Sequence, residues 1–308
     1  MIEVTNLSKT YKIKRRKFKT VLNDINFSVD DGEIVACLGK NGSGKSTLIK
    51  LLCGVLSPSS GEIKINNLNP YKDRKKLLKN IGVLFSQKSV LIWDLPLIES
   101  FKLYRDVYRM DKKVFEKNLN FLVEKLNLEK LLHHPVRKFS FGERIKSEFA
   151  VTMIHKPKYI FLDEPTVGLD EITKSIFRNL IKEYVKETKA TVFFATHLLG
   201  DVESIASKIM LLNDGTLQYY DTMEEFRKKY LTHKIISIYY TRVNNYQAFK
   251  ELRLNCNVLQ ESFDYIRIKI DNKTINDMLP IILNTFDIID ISITDISLRN
   301  VIKEIYQQ

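Results

Sequence analysis

Eight consecutive residues, Gly39-Lys40-Asn41-Gly42-Ser43-Gly44-Lys45-Ser46, carry the densest chemistry in this chain. They match G-x-x-x-x-G-K-[ST], a loop whose glycines let backbone N–H groups close around phosphate oxygens that side chains would obstruct. The apolar run Ile34–Leu38 before it reads as a strand, and Thr47–Cys53 after it reads as a helix whose positive N-terminal end points at the same place. Lys45 would reach the outer phosphates of a nucleotide. The Ser46 hydroxyl would hold Mg²⁺, and Lys40, Asn41, Ser43 and Thr47 complete the lining.

A second centre follows the apolar run Tyr159–Leu162, which ends in Asp163-Glu164. Open parallel sheets bind ligands beyond the carboxyl ends of their strands, so Asp163 is placed to serve the metal of a nucleotide in the cradle. Alternation along an extended segment would turn Glu164 another way, free to accept a proton from an attacking water. Gln87 and His197 each follow a further apolar run, Ile81–Phe85 and Val192–Thr196. Taken singly, Gln87 reads as a polar residue capping a strand and His197 as a satisfied turn histidine.

The elements that must position these groups are legible in outline. The five runs Ile34–Leu38, Ile81–Phe85, Tyr159–Leu162, Val192–Thr196 and Ile209–Leu212 alternate with helical patterns, the order of an α/β parallel sheet. Between the second and third runs lies a helical stretch from about residue 97 to 156, with Phe101, Tyr104, Tyr108 and Phe115, Leu119, Leu122, Leu126 at helix spacing. It reads as a helical subdomain, about residues 90–156, inserted into the sheet domain. All 11 glycines precede residue 216, which suggests a boundary near residue 230 between a domain 1–230 and another, 231–308. The second domain reads βαββαβ, through Ile235–Tyr240, Tyr246–Leu252, Asn257–Gln260, Tyr265–Ile270, Ile275–Phe286 and Ile288–Ile293. That is a small α+β ferredoxin-like module, closed by a helix Leu298–Tyr306 with Ser297 as its N-cap.

Composition excludes several classes. A hydrophobic fraction of 44% and a charged fraction of 28% are those of a folded globular chain. No apolar run is long enough to span a bilayer, and no secretory signal opens the sequence. Cys37, Cys53 and Cys256 have neither metal nor disulfide spacing, and His133-His134 lacks further ligands, so both read as structural. The net charge of +12 belongs wholly to the first part, because the 9 basic and 9 acidic residues of 233–308 cancel. Its densest run, Lys9 to Lys19, holds 7 basic residues and reads as a solvated hairpin connection.

With these motifs in order, residues 1 to about 230 resemble the nucleotide-binding subunits of ABC transporters. Ser140-Phe141-Gly142-Glu143 stands where that family carries its Ser-Gly-Gly-Gln signature, with Phe139 for the usual leucine. Gln87 resembles the family's Q-loop, Val167-Gly168-Leu169-Asp170 its D-loop, His197 its switch histidine, and Tyr11 the aromatic that stacks on adenine. The resemblance implies a P-loop ATPase fold that uses ATP and Mg²⁺. Ser46, Gln87 and Asp163 would serve the metal; Glu164, His197 and Gln87 would serve the reaction; Ser140, Gly142 and Asp170 would serve nucleotide. It implies a head-to-tail dimer, with itself or a related subunit, in which one chain's cradle faces the other's signature. Ser140 and Glu143 also form S-x-x-E, a capping box, and a capped helix N-terminus suits an anion.

The same resemblance implies a separate membrane permease, with the apolar segment Ser89–Pro96 and its Trp93 as the contact, and a peripheral place at the cytoplasmic face of the membrane. The Trp-Asp-Leu-Pro segment, the altered signature and the C-terminal module resemble ATPase subunits of ABC-2-type exporters. The rival is a non-transport ABC ATPase acting on ribosome or nucleic acid. It has only the basic excess in its favour, and one cassette without a heptad array speaks against it; no nucleic-acid partner is expected.

Overall fold

Apolar runs become central strands where helices cover both faces of a sheet, and alternating sequences become strands with one wet face. Both kinds occur in this computed structural model, which describes residues 1–14, 17–85 and 88–306. The chain divides into two compact units, Met1–Thr222 and Met223–Gln308. The boundary therefore falls before helix Met223–Tyr230 and not at residue 230. The last glycine, Gly215, turns the final hairpin of the first unit, so the glycine-poor stretch begins only a strand before the true division.

In the first unit, β1 (Ile2–Lys14) and β2 (Lys17–Val29) form a long antiparallel hairpin, with several register shifts along it. Strand β3 (Ile34–Leu38) leads into helix α1 (Lys45–Leu52), two residues earlier than the sequence pattern suggests, so Lys45 and Ser46 lie on its first turn. Strand β4 (Ser60–Ile65) pairs with β1 to complete a three-stranded antiparallel sheet β2-β1-β4. Only its hairpin connection is evident from sequence, because interrupted alternation gives no continuous apolar run.

After the short helix α2 (Arg74–Leu77) come β5 (Ile81–Phe85) and three helices, α3 (Leu97–Val107), α4 (Lys112–Leu126) and α5 (Phe141–Met153). The long helical stretch is broken where Arg109 and Asn127 take left-handed backbone angles. Asp111 caps α4 by accepting from Lys113 and Val114 N–H, and Ser140 caps α5. Strand β6 (Tyr159–Asp163), helix α6 (Glu171–Thr188), β7 (Thr191–Thr196), α7 (Leu199–Ile205), β8 (Lys208–Asn213) and β9 (Thr216–Thr222) complete the unit.

The six-stranded sheet runs β5-β6-β7-β3-β8-β9, parallel except for the last hairpin. Register sets the site: Phe85 lies opposite Asp163, Asp163 opposite Ala195, and Leu38 opposite Thr196. The carboxyl ends of four strands thus finish level, and the loops that leave them converge on one edge of the sheet. The core between the two sheets and α1 is apolar, with Ile2, Leu22, Val35, Leu48, Phe161 and Phe193 among its buried members.

The second unit begins with α8 (Met223–Tyr230), then β10 (His233–Val243), α9 (Tyr246–Asn255), β11 (Asn257–Glu261), β12 (Tyr265–Asp271), α10 (Ile275–Thr285), β13 (Phe286–Asp295) and α11 (Leu298–Ile305). Its all-antiparallel sheet β11-β12-β10-β13 has the strand order of a ferredoxin-like split βαβ. Phe286 opens the last strand instead of closing the helix before it: it is buried against Tyr240 and Phe249. Ser297 accepts from Asn300 N–H as the N-cap of α11.

Candidate functional site

The cradle wraps one end of the parallel sheet so tightly that Gly39 has no room for a side chain. A Cβ there would stand 2.4 Å from the Leu212 carbonyl oxygen and 2.4 Å from Ser43 Oγ. Lys45 is buried and folds back over its own loop, donating from Nζ to the carbonyls of Gly39 (2.7 Å) and Lys40 (3.1 Å). A buried ammonium folded onto its own loop carbonyls is ready to exchange them for the oxygens of an anion. Ser46 Oγ donates to Asp163 Oδ1 at 2.9 Å, which joins the first turn of α1 to the end of β6. Asp163 is buried, and loss of solvation holds its carboxyl above the usual carboxylate range, against the hydrogen bond from Ser46. Two hard oxygens side by side in a site that disfavours bare charge form a donor set suited to a divalent cation such as Mg²⁺.

Glu164 diverges from Asp163 for a reason other than the expected alternation. Its backbone turns into the left-handed region, φ 53°, and its N–H is tied to the Ala195 carbonyl at 2.9 Å. A non-glycine residue holds such an angle only where the surroundings over-determine it. The turn brings Oε1 to 3.6 Å from Lys45 Nζ and Oε2 to 2.9 Å from His197 Nδ1. Residues 45, 46, 163, 164 and 197 therefore converge on one spot. Gln87 lies outside the described residues.

The remaining candidates sit around this centre. Ser140 Oγ accepts from Glu143 N–H at 3.3 Å while the Glu143 carboxylate accepts from Ser140 N–H at 2.8 Å, a complete capping box. Glu143 thus has a structural partner in place of glutamine. A Cβ built on Gly142 would stand 3.8 Å from Thr173 Oγ1, an ordinary contact distance. Asp170 caps α6, accepting from Thr173 N–H (2.9 Å) and Oγ1 (2.7 Å), and these bonds lower its pKa. Tyr11 lies on β1 opposite Lys19, with Lys9 Nζ 5.2 Å from its ring centre. Within Ser89–Pro96, Leu91 is buried, whereas Trp93 is 49% and Leu95 44% exposed. Among the described residues, no three His, Cys, Asp or Glu side chains cluster as a metal site of their own, and the three cysteines are free.

Sequence reading missed a buried network that holds the loop after Glu164. Asp201 is 1% exposed and accepts from Thr166 Oγ1 and from Arg178, whose Nη2 stands 2.6 Å away. Thr166 lies in the turn after β6, Arg178 on α6 and Asp201 on α7, and residues so far apart in sequence share no motif.

Comparison with known proteins agrees with this geometry. The family model described as ABC transporter matches residues 22–167. The ABC transporter ATP-binding protein NatA of Bacillus subtilis (strain 168) is 29% identical over 224 residues, 73% of this chain and 90% of that protein. The bacitracin transport ATP-binding protein BcrA of Bacillus licheniformis is 30% identical over 237 residues, 75% of this chain and 74% of that one. A solved ATP binding subunit of an ABC transporter matches with a TM-score of 0.67 and 28% identity, over 74% of this chain and 92% of that chain. A dimeric, post-hydrolysis ATP-binding cassette bound to ADP and Pi matches at 0.65 and 27% identity, over 72% and 99%. A chain that sets a phosphate-binding loop against a carboxylate pair and a histidine, and shares sequence and fold with these proteins over most of its length, belongs to the ABC transporter family as an ATP-binding and ATP-hydrolysing subunit.

Proposed function

We propose that two such cassettes sandwich ATP, and that its hydrolysis drives a separate membrane permease, in the direction of export. The observation that carries this reading is the convergence of Lys45, Ser46, Asp163, Glu164 and His197 at one sheet edge. Lys45 exchanges its loop carbonyls for phosphate oxygens. Ser46 and Asp163 are the residues that would hold Mg²⁺, which supplies charge neutralisation at the phosphates when bound. Glu164 accepts the proton of the attacking water, oriented by its bond to His197. Gln87 is assigned beside them by position in the sequence.

Half of each site comes from the partner. Ser140 already accepts a backbone N–H through its oxygen, so its hydroxyl hydrogen is left to donate, and the N-terminus of α5 adds its positive end. These groups serve the partner's nucleotide, with Gly142 and Asp170 alongside and Tyr11 against adenine. Trp93 and Leu95 form the apolar contact for the permease, since exposed apolar patches mark interfaces. No helix among the described residues is long and apolar enough to cross a membrane; the place assigned to the chain is peripheral, at the cytoplasmic face, beside the permease. NatA and BcrA bear transport names, and nothing in the site favours a nucleic-acid partner.

Sizing the Glu164→Gln variant with and without Mg-ATP tests the composite site. The expected result is a dimer that appears only with nucleotide and persists, because binding remains and proton acceptance is lost. A monomer at high protein concentration, in material that binds Mg-ATP, would remove the shared site from this account.

A further inference from the structure

The signature segment and the loop after Glu164 touch each other within one chain, through a side chain that the glycine pattern of the family would lack. Phe141 packs against Gly168: a Cβ built on Gly168 would stand 2.8 Å from Phe141 Cε1 and 3.3 Å from its Cζ. Gly168 has φ 81°, so both its backbone angle and the ring against it require glycine. Phe141, the first residue of α5, is 45% exposed, and it lines one cleft with Asp163, Glu164 and Val167.

The contact continues in the other direction. Arg144, three residues further on the same helix, places its guanidinium carbon 5.1 Å from the Phe141 ring centre and 5.8 Å from that of Trp93. Arg144 Nε is buried with no hydrogen-bond partner, and the nearest carboxylate, Glu148, stands 4.0 Å away. The two rings therefore do much to hold this cation. Trp93, Arg144, Phe141 and Gly168 form one continuous row from the exposed Ser89–Pro96 segment to the loop that carries Glu164.

We propose that Phe141 is a positioning residue of the ATPase, fixing the loop at Gly168 against the N-terminus of α5, with Arg144 tying the pair to Trp93. The proposal rests on the reading above, in which Ser140 of a chain serves its partner's nucleotide while Glu164 serves its own. Under that arrangement Phe141 joins the half-site a chain lends to the half-site it keeps. Closure around one ATP then shifts the loop at the other, and the two sites act cooperatively. Trp93 stands at the outer end of the same row, where a docked permease would meet it.

The experiment uses the full chain as wild type, Phe141→Ala, Phe141→Leu and Arg144→Ala, measuring Mg-ATP affinity with a fluorescent ATP analogue and phosphate release against ATP concentration. In Phe141→Ala the affinity stays within about twofold, because the cradle is untouched, while kcat falls about tenfold and a Hill coefficient above one drops to one. Phe141→Leu, which keeps an apolar side chain on Gly168, restores most of both, and Arg144→Ala moves both in the same direction by less. Unchanged kcat and Hill coefficient in Phe141→Ala overturn the proposal, as does a wild type with a Hill coefficient of one. Affinity lost together with turnover also overturns it, since Phe141 would then support the fold. A wild type with no affinity for Mg-ATP overturns the ATPase reading as well, which separates the two failures.

Discussion

Glu164 and His197 stand 2.9 Å apart, carboxylate oxygen to Nδ1, although 33 residues separate them along the chain. The bond exists because Glu164 leaves the strand at a left-handed angle and His197 directly follows the neighbouring strand β7. The carboxylate is thereby held between a histidine and Lys45, facing the spot where phosphate and water would meet.

His197→Ala leaves Glu164 anchored to Lys45 alone. Mg-ATP affinity is expected to stay near wild type while phosphate release slows by about 10²-fold or more, the usual reach of a positioned acid–base group. Steady-state phosphate release with parallel nucleotide titration checks this. Equal turnover would remove His197 from the reaction.

Gly39→Ala puts a methyl group 2.4 Å from both a carbonyl and a hydroxyl oxygen. The backbone carbonyl cannot move aside cheaply, so the loop itself must shift. A loss of about 1–3 kcal/mol is expected, as for other overpacked sites, together with loss of the Mg-ATP-induced rise in Tm. Thermal melts with and without nucleotide measure both.

Asp201→Ala takes their shared buried acceptor from Thr166 and from the half-buried Arg178, leaving Arg178 only the Glu171 carboxylate at 3.8 Å. Because Arg178 stays partly solvated and keeps Glu171, the expected loss is about 1–3 kcal/mol, the range for a hydrogen bond to a charged group. Chemical denaturation reads this, and Asp201→Asn, which keeps an acceptor oxygen, should recover part of it.

Acid is expected to weaken the first unit through His155. Burial lowers its pKa from 6.5 to about 4, and its ring stacks on Tyr108 with centres 3.7 Å apart. Nε2–H donates to the Ile81 carbonyl at 3.0 Å, so a second proton would have to enter at Nδ1, which is buried without a partner. The unfolded chain takes up that proton first. Stability contributed by neutral His155 is therefore full above about pH 6.5 and falls as pH drops toward 4, where the folded form protonates too. Denaturation midpoints across that range, compared with those of His155→Phe, should show a flatter acid limb in the variant.

The cradle, the strand-end carboxylates, the parallel sheet with its helical insertion and the βαββαβ module can all be read from the order of residues alone. Each of these is encoded by neighbours: a spacing within eight residues, an apolar run, a helical period. The three-stranded sheet was not legible, because interrupted alternation hides a strand, and neither was the bond between Asp201 and Arg178. How Glu164 faces His197, why Phe141 packs against Gly168, and that Glu143 is satisfied within its own turn emerge only from three-dimensional packing. Those outcomes depend on strand register and on one left-handed backbone angle, and neither is written in the identity of adjacent residues; both are fixed by what the rest of the fold packs against them.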